Sequence, residues 1–138
     1  MEFAQRHPGD DRNYTREPLP IVSKFANITH GIWVEYFHGR VLAEIESWPV
    51  DIQADYARLV ELLMVHGPSL RMPHSRSFGD GLFELRPRGR SGIGRALYCF
   101  VVGRRVKVVH AFIKKKTPET PDRELKLARK RLKELLNV

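Results

Sequence analysis

The chain predicts an α+β fold: a small, mostly antiparallel, four-stranded sheet with a helical hairpin on one face and a C-terminal helix. Three observations carry this expectation. Ile52, Tyr56, Leu59, Val60 and Leu63 recur at helical spacing in the first half. Three short apolar runs joined by Gly- and Arg-rich turns fill the stretch from Leu82 to Lys116. A basic amphipathic segment then closes the chain. The element order expected is β-α-α-β-β-β-α.

Residues 1–29 are polar, interrupted by Pro8, Pro18 and Pro20, and show no sustained period. They read as a flexible or loosely docked arm ahead of a single domain at 30–138. Ile32 to Phe37 alternates as a strand, with Ile32, Val34 and Tyr36 on one face and Trp33, Glu35 and Phe37 on the other. Gly39 opens a helical stretch through Val41, Ile45 and Trp48, and Pro49 interrupts it. A second helix runs from about Pro49 to His66, where Gly67 and Pro68 end it.

Residues 68–81, rich in Pro, Ser, His and Gly, read as a loop. Strands are expected at about Leu82–Arg86, Gly94–Val102 and Arg105–Lys114, the last two forming a hairpin through Gly103-Arg104. Alternation places His110, Phe112 and Lys114 on one face of the last strand and Val109, Ala111 and Ile113 on the other. Pro121 suits a first helical position, and Asp122 and Glu124 suit the positive start of a helix running to about Leu136. Its apolar stripe is Leu125, Ala128, Leu132, Leu135 and Leu136.

The formal charge of +8 conceals a division. Residues 86–138 hold 16 of the 24 Lys and Arg against four acids, a net +12, while residues 1–85 carry −4. So concentrated a positive charge on a small sheet points to a polyanionic partner, most often nucleic acid. The single cysteine, Cys99, excludes an internal disulfide and reads as a small buried hydrophobe. With no apolar run of membrane-spanning length and no basic-then-apolar leader, the expected location is the cytoplasm, with no membrane partner.

The chain lacks a Gly-rich phosphate loop followed by Lys-Ser/Thr, an HExxH and a CxxC, and its six histidines fall in no metal-ligand spacing. Neither a metal nor another cofactor is expected. What remains is a set of cations near strand ends: Arg86, Arg95, His110, Lys114 and Lys115, with Arg88, Arg90, Lys116 and the loop residue His74 around them. Such cations can hold a phosphodiester and stabilise its pentacovalent transition state, each well-placed donor contributing roughly 3–4 kcal/mol. RNA can be cut without metal when its 2′-OH attacks, given a base, an acid and cations between them. The same residues have plainer readings. The lysine run can be a solvated strand end, Arg88 and Arg90 ordinary turn residues, His110 a satisfied half-buried histidine, and Glu84 a partner for a neighbouring arginine.

Taken together, Phe83-Glu84-Leu85-Arg86, Arg95-Ala-Leu-Tyr98, His110-Ala-Phe112-Ile-Lys114-Lys115 and Thr117-Pro118…Pro121 opening a basic helix resemble the HigB-like branch of the RelE/ParE toxin superfamily. The resemblance covers about Ile32 to Leu136. It implies the toxin of a type II toxin–antitoxin module, of bacterial or phage origin. Such a toxin is a metal-independent, ribosome-dependent endoribonuclease that cuts mRNA in the A site and arrests translation. The implied partners are a cognate antitoxin, the ribosome and mRNA, with operator DNA bound only as the toxin–antitoxin complex. By position, Arg95 and Lys115 would hold the phosphate, and Arg86 and Lys114 would stabilise charge or position the RNA. His110 matches a frequent family histidine. The final helix lacks the C-terminal Tyr that some relatives use, so the acid and base are unassigned, with His74 as one candidate. The superfamily also holds gyrase-poisoning ParE-type members that cut no RNA, and a plain nucleic-acid-binding module is a third reading.

Overall fold

The structure, a computed structural model, describes residues 32–102, 104–114, 117 and 119–136. The expected arm at 1–29 and the basic residues Lys115 and Lys116 lie outside these. The described elements are β1 (Trp33–Tyr36), α1 (Gly39–Glu46), α2 (Val50–His66), a 3-10 turn (Gly67–Ser69), β2 (Ser75–Gly79), β3 (Leu82–Leu85), β4 (Arg88–Gly89), β5 (Gly92–Val101), β6 (Arg105–Lys114) and α3 (Asp122–Leu136).

The α+β class stands, but the sheet has six strands rather than four. Its order is β1-β6-β5-β3-β2, with the two-residue β4 pairing to β5. β1 runs parallel to β6, Trp33 opposite Arg105 and Tyr36 opposite Val108, and all other pairings are antiparallel. β2 and β4 are the two strands absent from the sequence-based expectation. β2 is a polar edge strand, Ser-Arg-Ser-Phe-Gly, so no apolar run announces it. The Gly79-Asp80-Gly81 turn joining it to β3 has positive φ at all three residues, which explains its two glycines.

Each helix forms where its stripe finds a sheet face. α1 and α2 cover one face: Leu42, Ile45, Ile52, Tyr56, Leu59 and Leu63 pack with Leu85, Ala96, Tyr98, Val106, Val108 and Ala111. The Tyr36 and Tyr56 hydroxyls meet at 2.9 Å inside that layer, and the Tyr98 hydroxyl meets Ser75 at 2.7 Å, so the buried phenols are satisfied. α3 covers the opposite face, with Ala128 and Leu132 against Leu82, Leu97, Cys99, Val109 and Phe112.

Val109 departs from the expected alternation. Leu97 pairs with His110, but Tyr98 pairs with Val108, so a β-bulge falls at Val109. The bulge turns Val109 onto the α3 side with Phe112, away from Ala111. Its carbonyl is not left bare, because Arg131 of α3 donates to it from Nη1 at 2.7 Å.

Candidate functional site

The sheet register brings four of the expected residues to the α3-covered face. Glu84 on β3 lies beside Leu97 on β5, which lies beside His110 on β6. One step along, Arg95 lies opposite Phe112, and one further Ile93 lies opposite Lys114. Arg86 directly follows β3, and its backbone N–H donates to the His74 carbonyl at 3.1 Å.

Glu84 is the centre of this group. Its side chain is fully buried. Oε1 accepts from Arg86 Nη1 at 2.6 Å and sits 3.6 Å from Arg95 Nε, while Oε2 accepts from the Thr120 hydroxyl. The expectation that Glu84 pairs with a neighbouring arginine therefore holds for two of them. Arg95 is only 3% exposed, and its Nη1 donates to the Gly94 carbonyl at 2.8 Å. Burial, with Arg86 nearby, brings the Arg95 guanidinium down to about 10 against the opposing pull of Glu84, with a further push from Arg76. It stays charged at neutral pH, so one buried carboxylate holds two cations in fixed orientations.

Two of these groups were not singled out from sequence. Arg76 reaches the cluster because β2 pairs it directly with Glu84. Treating 68–81 as a loop hid it, although Asp80-Gly81 ahead of an apolar run is a hairpin signal. Glu124 of α3 meets His110 Nε2 at 2.5 Å. Its place in the first turn of the helix was legible, but its partner was not, because nothing in the sequence says which face α3 covers. Lys114 Nζ donates to the Glu119 carbonyl. The start of α3 and the residues before it thus engage the sheet at three points, Thr120 on Glu84, Glu119 on Lys114 and Glu124 on His110.

A cavity of about 290 Å³ opens at the end of the sheet. Arg58, His74, Arg86, Arg88 and Arg95 line it, with Asp55 among them. His110 does not line it. The structure therefore separates the two histidines: His74 faces a cationic cavity, and His110 ties β6 to α3 through Glu124. Arg88 and Arg90 are both exposed on the turn around β4. Among the described residues, no group of three or more His, Cys, Asp or Glu converges as a metal site would require. No helix among them is long and apolar enough to cross a membrane.

A cavity walled by arginines and a histidine lies at the end of a small sheet between a helical hairpin and a basic helix, an arrangement chemically suited to an anion. The sequence places the chain more closely. The model of the phage-derived protein Gp49-like family (DUF891) matches residues 43–133, and the chain belongs to that family. It is a RelE/HigB-like toxin family. The matched span contains every described residue of the cluster and the cavity. No curated protein matches the chain.

Proposed function

We propose that this chain is the toxin of a type II toxin–antitoxin module and cuts mRNA on the ribosome, in the HigB-like manner. The observation that carries the reading is the cavity where Arg86 and Arg95, both fixed by the buried Glu84, meet His74, Arg58 and Arg88. The scissile phosphate lies in that cavity. The RNA 2′-OH attacks phosphorus, the bond to the 5′-oxygen breaks, and the products are a 2′,3′-cyclic phosphate and a 5′-OH. Arg86 and Arg95 stabilise the charge that builds on the non-bridging oxygens. His74 lies where a proton carrier is needed, which imidazole supplies as acid or base. His110, held by Glu124, positions β6 against α3, while Lys114 and Lys115 bind the RNA backbone. The cell component this requires is the cytoplasmic ribosome, and the partner that restrains the activity is an antitoxin covering the basic surface. Operator DNA is bound by the pair, not by the toxin alone.

Primer extension on a defined mRNA, with and without programmed ribosomes, tests the proposal. Wild type should give ribosome-dependent cuts, and Arg86→Ala should lower their rate by about 10²–10³-fold, as loss of one transition-state donor does. His74→Ala should lower it similarly, whereas His110→Ala should act mainly on thermal stability. Intact mRNA with folded wild-type protein would overturn the reading and direct attention to a gyrase supercoiling assay.

A further inference from the structure

The turn from Arg88 to Ser91 is fastened to α2 by two carboxylates. Asp55 Oδ2 accepts the Arg88 backbone N–H at 2.9 Å, and Asp51 Oδ2 accepts the Ser91 backbone N–H at 3.0 Å. Between them, Gly89 lies so close to α2 that a β-carbon there would run into the Asp51 carboxylate. The turn is therefore held at both ends and pressed flat in the middle, with the side chains of Arg88 and Arg90 outward in solvent. Asp55 makes a second use of its carboxylate: Oδ1 accepts from Arg58 Nε at 2.8 Å, so the same residue orients two of the arginines that line the cavity.

These contacts have an odd cost. Two acids stand beside the cations that would bind RNA, where unpartnered negative charge weakens phosphate binding. Both carboxylates are taken up by backbone N–H groups and by Arg58, which is what a positioning role requires and an incidental surface acid does not.

We propose that Asp51 and Asp55 are positioning residues that set the Arg88–Arg90 turn as a second phosphate contact, running from the cavity rim at Arg88 outward to Arg90, one nucleotide or more away from the cut. The proposal rests on the RNA-cutting reading above and specifies how the substrate strand is held. It makes a prediction of unusual sign. Replacing both acids by amides raises the net positive charge by two, so a merely cationic surface should bind RNA more tightly. A clasp that orders the turn predicts the reverse.

The test uses the full chain and a 5′-labelled single-stranded decanucleotide RNA, with affinity measured by fluorescence anisotropy over a salt series. Asp51→Asn with Asp55→Asn should weaken binding by roughly tenfold, the scale of losing charge-assisted contacts. The log–log salt slope should shrink by roughly 1.4, the value for two phosphates on a single strand. Arg88→Ala with Arg90→Ala should give the same loss, and combining all four changes should add nothing further. Gly89→Ala forces the turn and the Asp51 carboxylate apart without changing any charge and should weaken binding as well; it supplies the readout if the double amide folds poorly.

Tighter or unchanged binding in both the double amide and Gly89→Ala would overturn the clasp, as would a wild-type chain that does not bind the oligonucleotide in a salt-dependent way. Clasp-dependent binding in a protein that makes no cuts on programmed ribosomes would instead overturn the nuclease reading and leave the clasp standing.

Discussion

Neutralising Glu84 is the sharpest probe of how the cation cluster is built. Glu84→Gln keeps the shape of the side chain and removes its charge. The carboxylate has no solvent exposure, and it faces Arg86 at 2.6 Å, Arg95 at 3.6 Å and the Thr120 hydroxyl. Leaving a buried charge without its partner costs about 3–5 kcal/mol. Arg86 keeps 11% of its side chain exposed, so water relieves part of the loss and the lower end applies, about 3 kcal/mol. Arg95→Met removes the more deeply buried of the two guanidinium groups and should cost about the same, because it leaves Glu84 short of a cation. The double variant removes both buried charges at once. It should cost about 3–4 kcal/mol rather than the additive 6, giving a coupling of about 2–3 kcal/mol. Urea unfolding reads this directly: with a slope of about 1.5 kcal/mol/M, each single change moves the midpoint down by about 2 M. Additive single effects, or a Glu84→Gln midpoint equal to wild type, would refute the view that Glu84 is the anchor of both arginines.

Two further outcomes follow from the packing. Gly94→Ala should destabilise the fold by about 1–3 kcal/mol in the same unfolding assay, because a β-carbon there would sit 2.9 Å from Trp48 Cζ3 and 3.1 Å from Ile52 Cγ2. Cys99 gives a pH signature. Burial pushes its thiol up to about 11 despite nearby Lys107, so in the folded state it holds its proton where an unfolded thiol, near 9, has lost it. The unfolded state then binds fewer protons than the native state above pH 9. This contribution to stability is whole below pH 9 and is lost as pH rises to about 11. Cys99→Ala should flatten that alkaline decline in a series of thermal melts, and iodoacetamide should label wild-type Cys99 only when the protein unfolds.

The helices were the most legible part of the chain. The stripe of α2 and the Pro121 start of α3 fix their ends to within a residue, because helical burial leaves a period that survives in sequence. The sheet was legible only where it is apolar. β6 is legible from Arg105 to Lys114 as observed, while β2 is not, because this polar edge strand fully buries only Ser75 and so carries no alternating apolar pattern. The bulge at Val109 leaves no mark in the local sequence, and the group that satisfies its carbonyl, Arg131, comes from far along the chain. The candidate site followed the same rule. Charge and strand position single out Arg86, Arg95 and Lys114 in the sequence, and the structure brings Arg86 and Arg95 together on Glu84. Their organiser, Glu84, was visible as a residue and its importance was not, since that comes from register with β2 and β5 and from Thr120 in a segment far along the chain.

The parallel pairing of β1 with β6 sets an order on folding. Trp33–Tyr36 can be seated only on Arg105–Val108, which the ribosome makes much later. Synthesis delivers the N-terminal part first, at roughly 5–20 residues per second. For several seconds the nascent chain therefore carries α1 and α2 with their stripe of Ile45, Ile52, Tyr56 and Leu63 and no sheet to lay it on. Closing so long a loop is slow relative to local helix formation. Helical surface exposed at that stage is what a chaperone meets first. A destabilising change in β6 should accordingly lower the yield of folded protein made in cells by more than its equilibrium cost in the finished molecule implies.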